Sequence, residues 1–485
     1  MIALTLAQIA EAVDGEVAGD PAVVVSAPAF LDSRQVEPGG LFVAVVGERV
    51  DGHDYAAGAV AAGAAAVLGS RATDVPTVVV ADPVVALGRL ARHVLDALPG
   101  LTVLAMTGSQ GKTGTKDYLA QVLAAAGPTV ATLGNLNNEL GVPLTALRAT
   151  TDTRFLVVEM GARGIGHITY LCDVAPPTIA AVLNVGTAHV GEFGSREAIA
   201  VAKGEILEAL PADGVAVINA DDELTSVMGS RTAARVVRFG LSGAPDVTWH
   251  DTTYDDLDRA SAVLEIAGER HPVTLRQTGE HQLHNAAAAA AMAHAAGLSA
   301  VDIATGLSAA TSLSPWRMEL HELPDGPVVV NDAYNANPAS MRAAISALLA
   351  IAGRRGGRSI AVLGEMRELG AGAEGDHRDL GEHAARAGVD VLLVVGEAAR
   401  AVLEGAANVT PGPSAALYVA DRAAALAWLR ENMVADDVVL VKASRGAALE
   451  WIAQQLGPRV TRRSSPDQPA QDTGPEPEHV EEKQE

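Results

Sequence analysis

"LTVLAMTGSQGKTGTK", residues 101–116, carries a short apolar run into a turn with two glycines and then into a polar segment. Downstream, Leu119, Val122, Leu123 and Ala126 recur at helical spacing until Gly127, so the stretch reads as strand, loop and helix in succession. In that context a glycine loop binds phosphate, because backbone N–H groups and the helix N-terminus favour an anion. Thr107, Gly108, Ser109, Gln110, Gly111, Lys112 and Thr113 form the candidate loop. Lys112 is placed to reach the outer phosphates of a nucleotide, and the Thr113 hydroxyl to ligate Mg2+. The common pattern, GxxxxGK followed by Ser or Thr, asks for glycine at 106, where this chain has Met106. Met106 is expected at the strand end, leaving a tighter turn built on Gly108 and Gly111. A glycine-rich turn with a solvated lysine is the plainer alternative; the agreement of strand, loop and helix favours the nucleotide.

Outward from the loop, β-like apolar runs alternate with helical patterns, the mark of an α/β chain with mainly parallel sheets. Pro99 and Gly100 break the pattern ahead of the loop strand, and a Ser/Thr/Pro joint breaks it again at 311–315. These breaks predict three domains: a smaller N-terminal α/β domain over 1–98, a central P-loop-type domain with a mainly parallel sheet and flanking helices over 99–313, and a C-terminal α/β domain over 314–460. Residues 461–485 are expected to be a disordered acidic tail, since from 464 there are seven acidic residues, one lysine and almost nothing to bury.

The chain of 485 residues has a formal charge of −24, which argues against non-specific nucleic-acid binding. The single cysteine, Cys172, excludes an internal disulfide framework and reads as a small buried hydrophobe. "MIALTLAQIAEAVDGE" at the start has no basic flank and carries Glu11 and Asp14, so it reads as an amphipathic helix rather than a secretory signal. The uncharged stretches near 55–70 and 282–301 are largely Ala and Gly, too weakly apolar for convincing membrane spans. A cytoplasmic monomer without a membrane span is the expectation.

Ligands of open α/β sheets collect beyond the carboxyl ends of the strands. "FLVVEMG" ends near Glu159, and "TIAAVLNVGTAHVGEFGS" runs from a buried strand into His189. Each alone has a plain reading, a helix cap or a turn histidine; their shared topology points to metal beside the phosphates. Lys203, in "AIAVAKGEILEAL", reads from its residues as an exposed helical lysine.

Over residues 25–455 the chain resembles the Mur ligases, whose loop has the form TGSxGKT, and among them the type that adds a dipeptide. "DSRQVEPGGLFVAVVGERVDGHDYAAGAVAAGAAAVL", "GNLNNELGVP", "NDAYNANPASM", "LGEMRELG" followed by His377, and "VKASRGAALE" carry the resemblance. It implies an ATP-dependent ligase that joins D-alanyl-D-alanine to UDP-N-acetylmuramoyl-tripeptide through an acyl phosphate, giving a pentapeptide precursor of peptidoglycan. It also implies a UDP-binding N-terminal domain with Ser33 and Arg34 as uridine contacts, and a Rossmann-like C-terminal domain. Asn135, Asn137 and Asn138 would hold the sugar-peptide, Asn285 would meet adenine, and Arg317, Asp332, Tyr334 and Asn335 would lie at ATP. Lys442, Ser444 and Arg445 would receive the dipeptide. Lys203 matches a lysine carbamylated in related ligases, where with His189 it would hold a second Mg2+. The chain departs from the family at Trp316, where glycine commonly precedes the arginine. Three sites on three domains also imply a closing motion. A sister amide ligase of the same family and a P-loop NTPase switch are the other readings.

Overall fold

In the computed structural model, which describes residues 1–47, 50–186, 193–324 and 326–456, Thr102–Thr107 is a strand inside a nine-stranded sheet. Its neighbours are Phe155–Glu159 on one side and Ile179–Val182 on the other, both parallel to it. Thr129–Ala131 forms the edge beyond Phe155–Glu159. On the far side the parallel run continues through Val215–Asn219, Arg235–Phe239 and Val247–Tyr254. It then turns antiparallel through Arg259–Ile266 and Glu269–Thr278, so the sheet is mainly parallel with an antiparallel extension. Register decides where the chemistry falls: Glu159 lies beside Met106, and Val182 beside Thr107. These carboxyl ends therefore finish level with one another, next to the loop.

The loop helix, Lys112–Ala124, buries Tyr118, Leu119, Val122 and Leu123. It packs against His281–Ala295, in which every residue from Ala286 to Ala293 is buried. The alanine-rich stretch is thus a core helix whose small side chains allow close helix approach. Among the described residues no helix is long and apolar enough to cross a membrane.

The opposite sheet face packs on helices Pro83–Asp96, His167–Val174 and Arg196–Glu208. Leu87, Leu90 and Val94 belong to the same apolar cluster as Val103, Ala105 and Val158, so the N-terminal unit shares its core with the central sheet. That unit has a five-stranded sheet ordered Glu16–Ala18, Thr77–Val79, Ala66–Gly69, Leu41–Ala44, Ala29–Phe30, in which only the first pairing is antiparallel. Its first helix, Leu6–Val13, starts on a Thr5–Gln8 capping box and buries Leu6, Ile9, Ala10 and Val13, as its amphipathic pattern predicts. Cys172 is buried, and burial pushes its thiol up to about 12.

A third sheet runs in the order Glu319–Glu322, Val328–Asn331, Val438–Lys442, Ser359–Leu363, Val391–Val395, Ala415–Val419, all parallel except the first pairing. Apolar clusters cover both of its faces, the layering of a Rossmann-like unit. Asn331 and Lys442 end adjacent parallel strands and bring the loops that follow them to the phosphate loop of the central unit. The expected acidic tail lies outside the described residues.

Candidate active site

One cavity of about 1010 Å3 lies between the phosphate loop and the C-terminal sheet, and among the described residues none before Gly108 lines it. Gly111 begins the loop helix at φ 79°, in the left-handed region that glycine adopts freely. A Cβ there would meet Asn285 Oδ1 at 2.5 Å, and one at Gly114 would meet Asn285 Nδ2 at 2.6 Å, so Asn285 packs directly on the loop. Asn184 pins the loop from the next strand end, accepting from the Gln110 N–H at 2.9 Å and donating to the Gln110 carbonyl at 3.1 Å. The Gly186 N–H donates to Ser109 Oγ at 2.9 Å.

Lys112 Nζ donates to the Gly108 carbonyl at 2.7 Å. Burial pushes its ammonium below the ordinary lysine value, Glu159 opposes that, and nearby Arg317 adds to it. Beneath it the Thr113 hydroxyl donates to Glu159 Oε2 at 3.1 Å, and Asn137 Nδ2 donates to Glu159 Oε1 at 2.8 Å. Glu159 is therefore a buried carboxylate held by two neutral donors, with the Thr113 oxygen beside it. Oxygen donors of this kind suit a hard divalent cation, so this pair fits Mg2+. His189 lies outside the described residues. Among the described residues no group of three or more His, Cys, Asp or Glu gathers for a metal.

Lys203 corrects the reading made from its residues alone: it is 6% exposed, on the buried face of its helix with Ile199, Ala202 and Ile206. Burial, then the like charge of Lys112, brings its amine down to about 7. Two residues on, the buried Glu205 carboxylate accepts from the Gly166 and Thr169 N–H groups at 2.6 and 3.0 Å. It ties the cavity turn at Arg163 to the helix that carries Lys203.

The opposite wall comes from the C-terminal unit. Lys442 Nζ sits 2.6 Å from Asp332 Oδ2 and 2.9 Å from the Asn335 carbonyl, so this buried lysine holds the 332–335 turn. Asp332 Oδ1 accepts from the Met318 N–H at 3.1 Å. Ser444 Oγ accepts from the Arg367 N–H at 2.9 Å. Arg317 lies over the Tyr334 ring at 4.1 Å, and Arg445 lies 5.4 Å from both the Tyr334 and Trp316 rings. Trp316 keeps a left-handed backbone at φ 62° although it is not glycine.

Of the residues named from the sequence, Gly108 to Thr113, Asn135, Asn137, Asn138, Glu159, Lys203, Asn285, Arg317, Asp332, Tyr334, Asn335, Lys442, Ser444 and Arg445 line this one cavity. Thr107 does not: it is the last residue of its strand and fully buried. Ser33 and Arg34 lie apart as well, with Arg34 paired to Asp32 at 2.8 Å and largely exposed. His377 is buried, accepting from the Met366 N–H at 2.9 Å, and so props the 364–369 turn. Asn184, Arg163, His167, His281 and Arg367 also line the cavity; the sequence reading passed over them. For Asn184 a signal existed, since it stands two residues past the end of a buried strand beside the loop strand.

A phosphate loop level with a buried carboxylate, facing a cation-bearing second sheet, defines a class, and the chain belongs to it: the Mur ligase family. The family's middle-domain model matches residues 106–293, its glutamate ligase domain 316–445, and its catalytic domain 30–94. The chain is similar to the UDP-N-acetylmuramoyl-tripeptide–D-alanyl-D-alanine ligase of Mycobacterium tuberculosis, 46% identical over 94% of this chain and 98% of the relative. It is also similar to a crystal structure of MurF from Acinetobacter baumannii, with TM-score 0.83, 33% identity, and 94% and 98% of the two chains covered. A MurF ligase from Thermotoga maritima in complex with ADP matches at TM-score 0.75 and 32% identity, over 89% of this chain and 97% of that one.

Proposed function

We propose that the chain is an ATP-dependent ligase that joins D-alanyl-D-alanine to UDP-N-acetylmuramoyl-tripeptide. The observation that carries this reading is the cavity that has Lys112, Thr113 and Glu159 on one wall and Arg317, Asp332 and Arg445 on the other. The substrates follow from the name of the full-length relative.

A carboxylate oxygen is a poor leaving group, and phosphorylation by ATP makes it a good one. The tripeptide carboxylate attacks the γ-phosphate, ADP leaves, and the dipeptide amine then displaces phosphate from the acyl carbon. Such phosphoryl transfer depends on positioning and charge. The loop amides and Lys112 orient the phosphates, Arg317 adds positive charge from the facing wall, and Asn285 sits where the loop begins. Thr113 and Glu159 would hold Mg2+, which supplies charge neutralisation between the reacting anions. Lys203, neutral enough near pH 7 to accept CO2, would become a carbamate and with His189 hold a second ion. Asn135, Asn137 and Asn138 would orient the sugar-peptide. Ser33 and Arg34, away from the cavity, would hold the uridine end of a long substrate. The division of labour follows domains at 1–98, 99–313 and 314–460, acting as a cytoplasmic monomer.

Phosphate release, measured with each substrate omitted in turn, tests the reaction. It should require ATP, the UDP-tripeptide and the dipeptide together, and Lys112→Ala should abolish it while the circular dichroism spectrum stays unchanged. Release without the dipeptide would point to an NTPase switch, and turnover with single amino acids to a sister ligase.

A further inference from the structure

Two arginines of the facing wall, Arg317 and Arg445, stack on Tyr334 and are not interchangeable. Arg317 lies near enough to Lys112 to depress its ammonium, which places it on the phosphate side. Among the described residues Arg445 has no carboxylate partner, whereas its neighbours are engaged: Lys442 by Asp332, and Arg367 by Glu365. What holds Arg445 is aromatic, the Trp316 and Tyr334 rings, which stack at 6.5 Å with their planes 30° apart.

Trp316 is the informative member. Its φ of 62° is a conformation that side-chain-bearing residues adopt at a cost and glycine adopts freely. Its backbone contacts would survive in glycine, since the Trp316 N–H donates to Glu319 Oε2 at 3.0 Å and its carbonyl accepts from the Tyr334 N–H at 3.1 Å. The turn therefore needs only the backbone. The indole adds the contact with Arg445 and Tyr334.

We propose that Trp316 is a positioning residue that keeps the Arg445 guanidinium turned to the cavity, where Arg445 receives the carboxylate of the incoming dipeptide while Arg317 serves the nucleotide. This rests on the ligase reading above. The dipeptide is an anion at one end and must present a free amine at the other, so a fixed cation other than the one beside Lys112 orients it while the nucleotide keeps its own. An aromatic ring suits that task because it attracts a guanidinium without neutralising it.

The test uses the full chain with Trp316→Gly, Trp316→Leu, Trp316→Phe and Arg445→Ala, reading KM for each substrate, kcat and the melting temperature. Trp316→Gly and Trp316→Leu should raise KM for the dipeptide roughly tenfold, the scale of a desolvated cation–π contact, with KM for ATP within about twofold. Trp316→Phe, which keeps a ring face, should stay within about threefold of the parent. Trp316→Gly should melt no lower than the parent, because strain leaves with the side chain. Arg445→Ala should raise the same KM at least as much, and adding Trp316→Gly to it should change little. Parental dipeptide KM in Trp316→Gly, equal behaviour of Leu and Phe, a melting temperature that falls together with every constant, or an Arg445→Ala defect confined to ATP would each overturn the inference. A parent that turns over ATP without the dipeptide would overturn the reaction itself and this inference with it.

Discussion

Lys203 is destabilising wherever it carries a proton, because its helix buries it and Lys112 repels it. Below about pH 7 both folded and unfolded chains hold that proton, and the full cost of burying it is present. Between about 7 and the ordinary 10.5 the unfolded chain keeps the proton and the folded chain has shed it, so stability rises with pH across that window. Above it neither form is charged. Lys203→Met should therefore stabilise the fold most at acidic pH, by on the order of 5 kcal/mol at pH 6 given about 1.4 kcal/mol per tenfold in acidity. The gain should vanish above pH 10.5. Urea unfolding at a series of pH values, in bicarbonate-free buffer with chelator, checks this; a gain that does not depend on pH would show that the amine is not the cause. The burial was half visible in the sequence. Ile199, Ile206 and Leu207 stand four before, three after and four after Lys203, the spacing of one helix face, yet a lysine on such a face is read as exposed unless a polar cavity is known to wait there.

At the scale of elements, the loop helix does two jobs. Its N-terminus carries Lys112 and Thr113, and one turn later its buried Lys116 and Asp117 hold the chain that leads into the C-terminal sheet. Lys116 Nζ lies 2.7 Å from Asp117 Oδ1 and donates to the Thr132 carbonyl at 3.0 Å. Asp117 also accepts from the Ser314 N–H and hydroxyl at 3.0 and 3.1 Å, while Gln121 donates to the Thr311 carbonyl at 2.8 Å. Asp117→Ala would leave the buried Lys116 ammonium without its counter-charge and the Ser314 N–H without its acceptor, and should cost about 3–5 kcal/mol in denaturant unfolding. Adding Lys116→Met should recover part of that loss, and a double variant no more stable than the single would refute the pairing. Strand, loop and helix at 102–124 were legible because each follows from contiguous residues, and Glu159 because it ends a strand beside them. The Asn184 clasp on Gln110, the Glu205 clasp on Gly166, the hold of Asp117 on Ser314 and the stack of Trp316, Tyr334 and Arg445 were not. Each joins segments whose pairing leaves no local period, and Arg445 stands more than a hundred residues from Trp316. The antiparallel extension at 259–278 was hidden in the same way, inside a chain otherwise patterned for parallel pairing.

Across the whole molecule the three units are coupled unequally. The N-terminal unit shares one apolar cluster with the central sheet, and parting them would expose Leu87, Leu90 and Val94. The C-terminal unit has its own two clusters and meets the central sheet through the joint at 311–318 and the tip of the hairpin between Val247–Tyr254 and Arg259–Ile266. That tip inserts Leu257 into the C-terminal cluster beside Val328, Met341 and Ile345, while Asp258 and Asp256 pair with Arg354 and Arg355. If ligation needs the facing wall to close on the loop, the C-terminal unit is the one free to move, and the hairpin tip sets its resting position. Leu257→Ser with Arg354→Ala removes the apolar plug and the partly buried charge pair at a cost of about 3 kcal/mol or more at that contact. In solution X-ray scattering without substrates the variant should be more extended than the parent. With an ATP analogue and both substrates the two profiles should converge on a more compact form. Parent profiles that ignore the ligands would rule out closure, and variant and parent profiles alike without ligands would show that the hairpin does not hold the C-terminal unit in place.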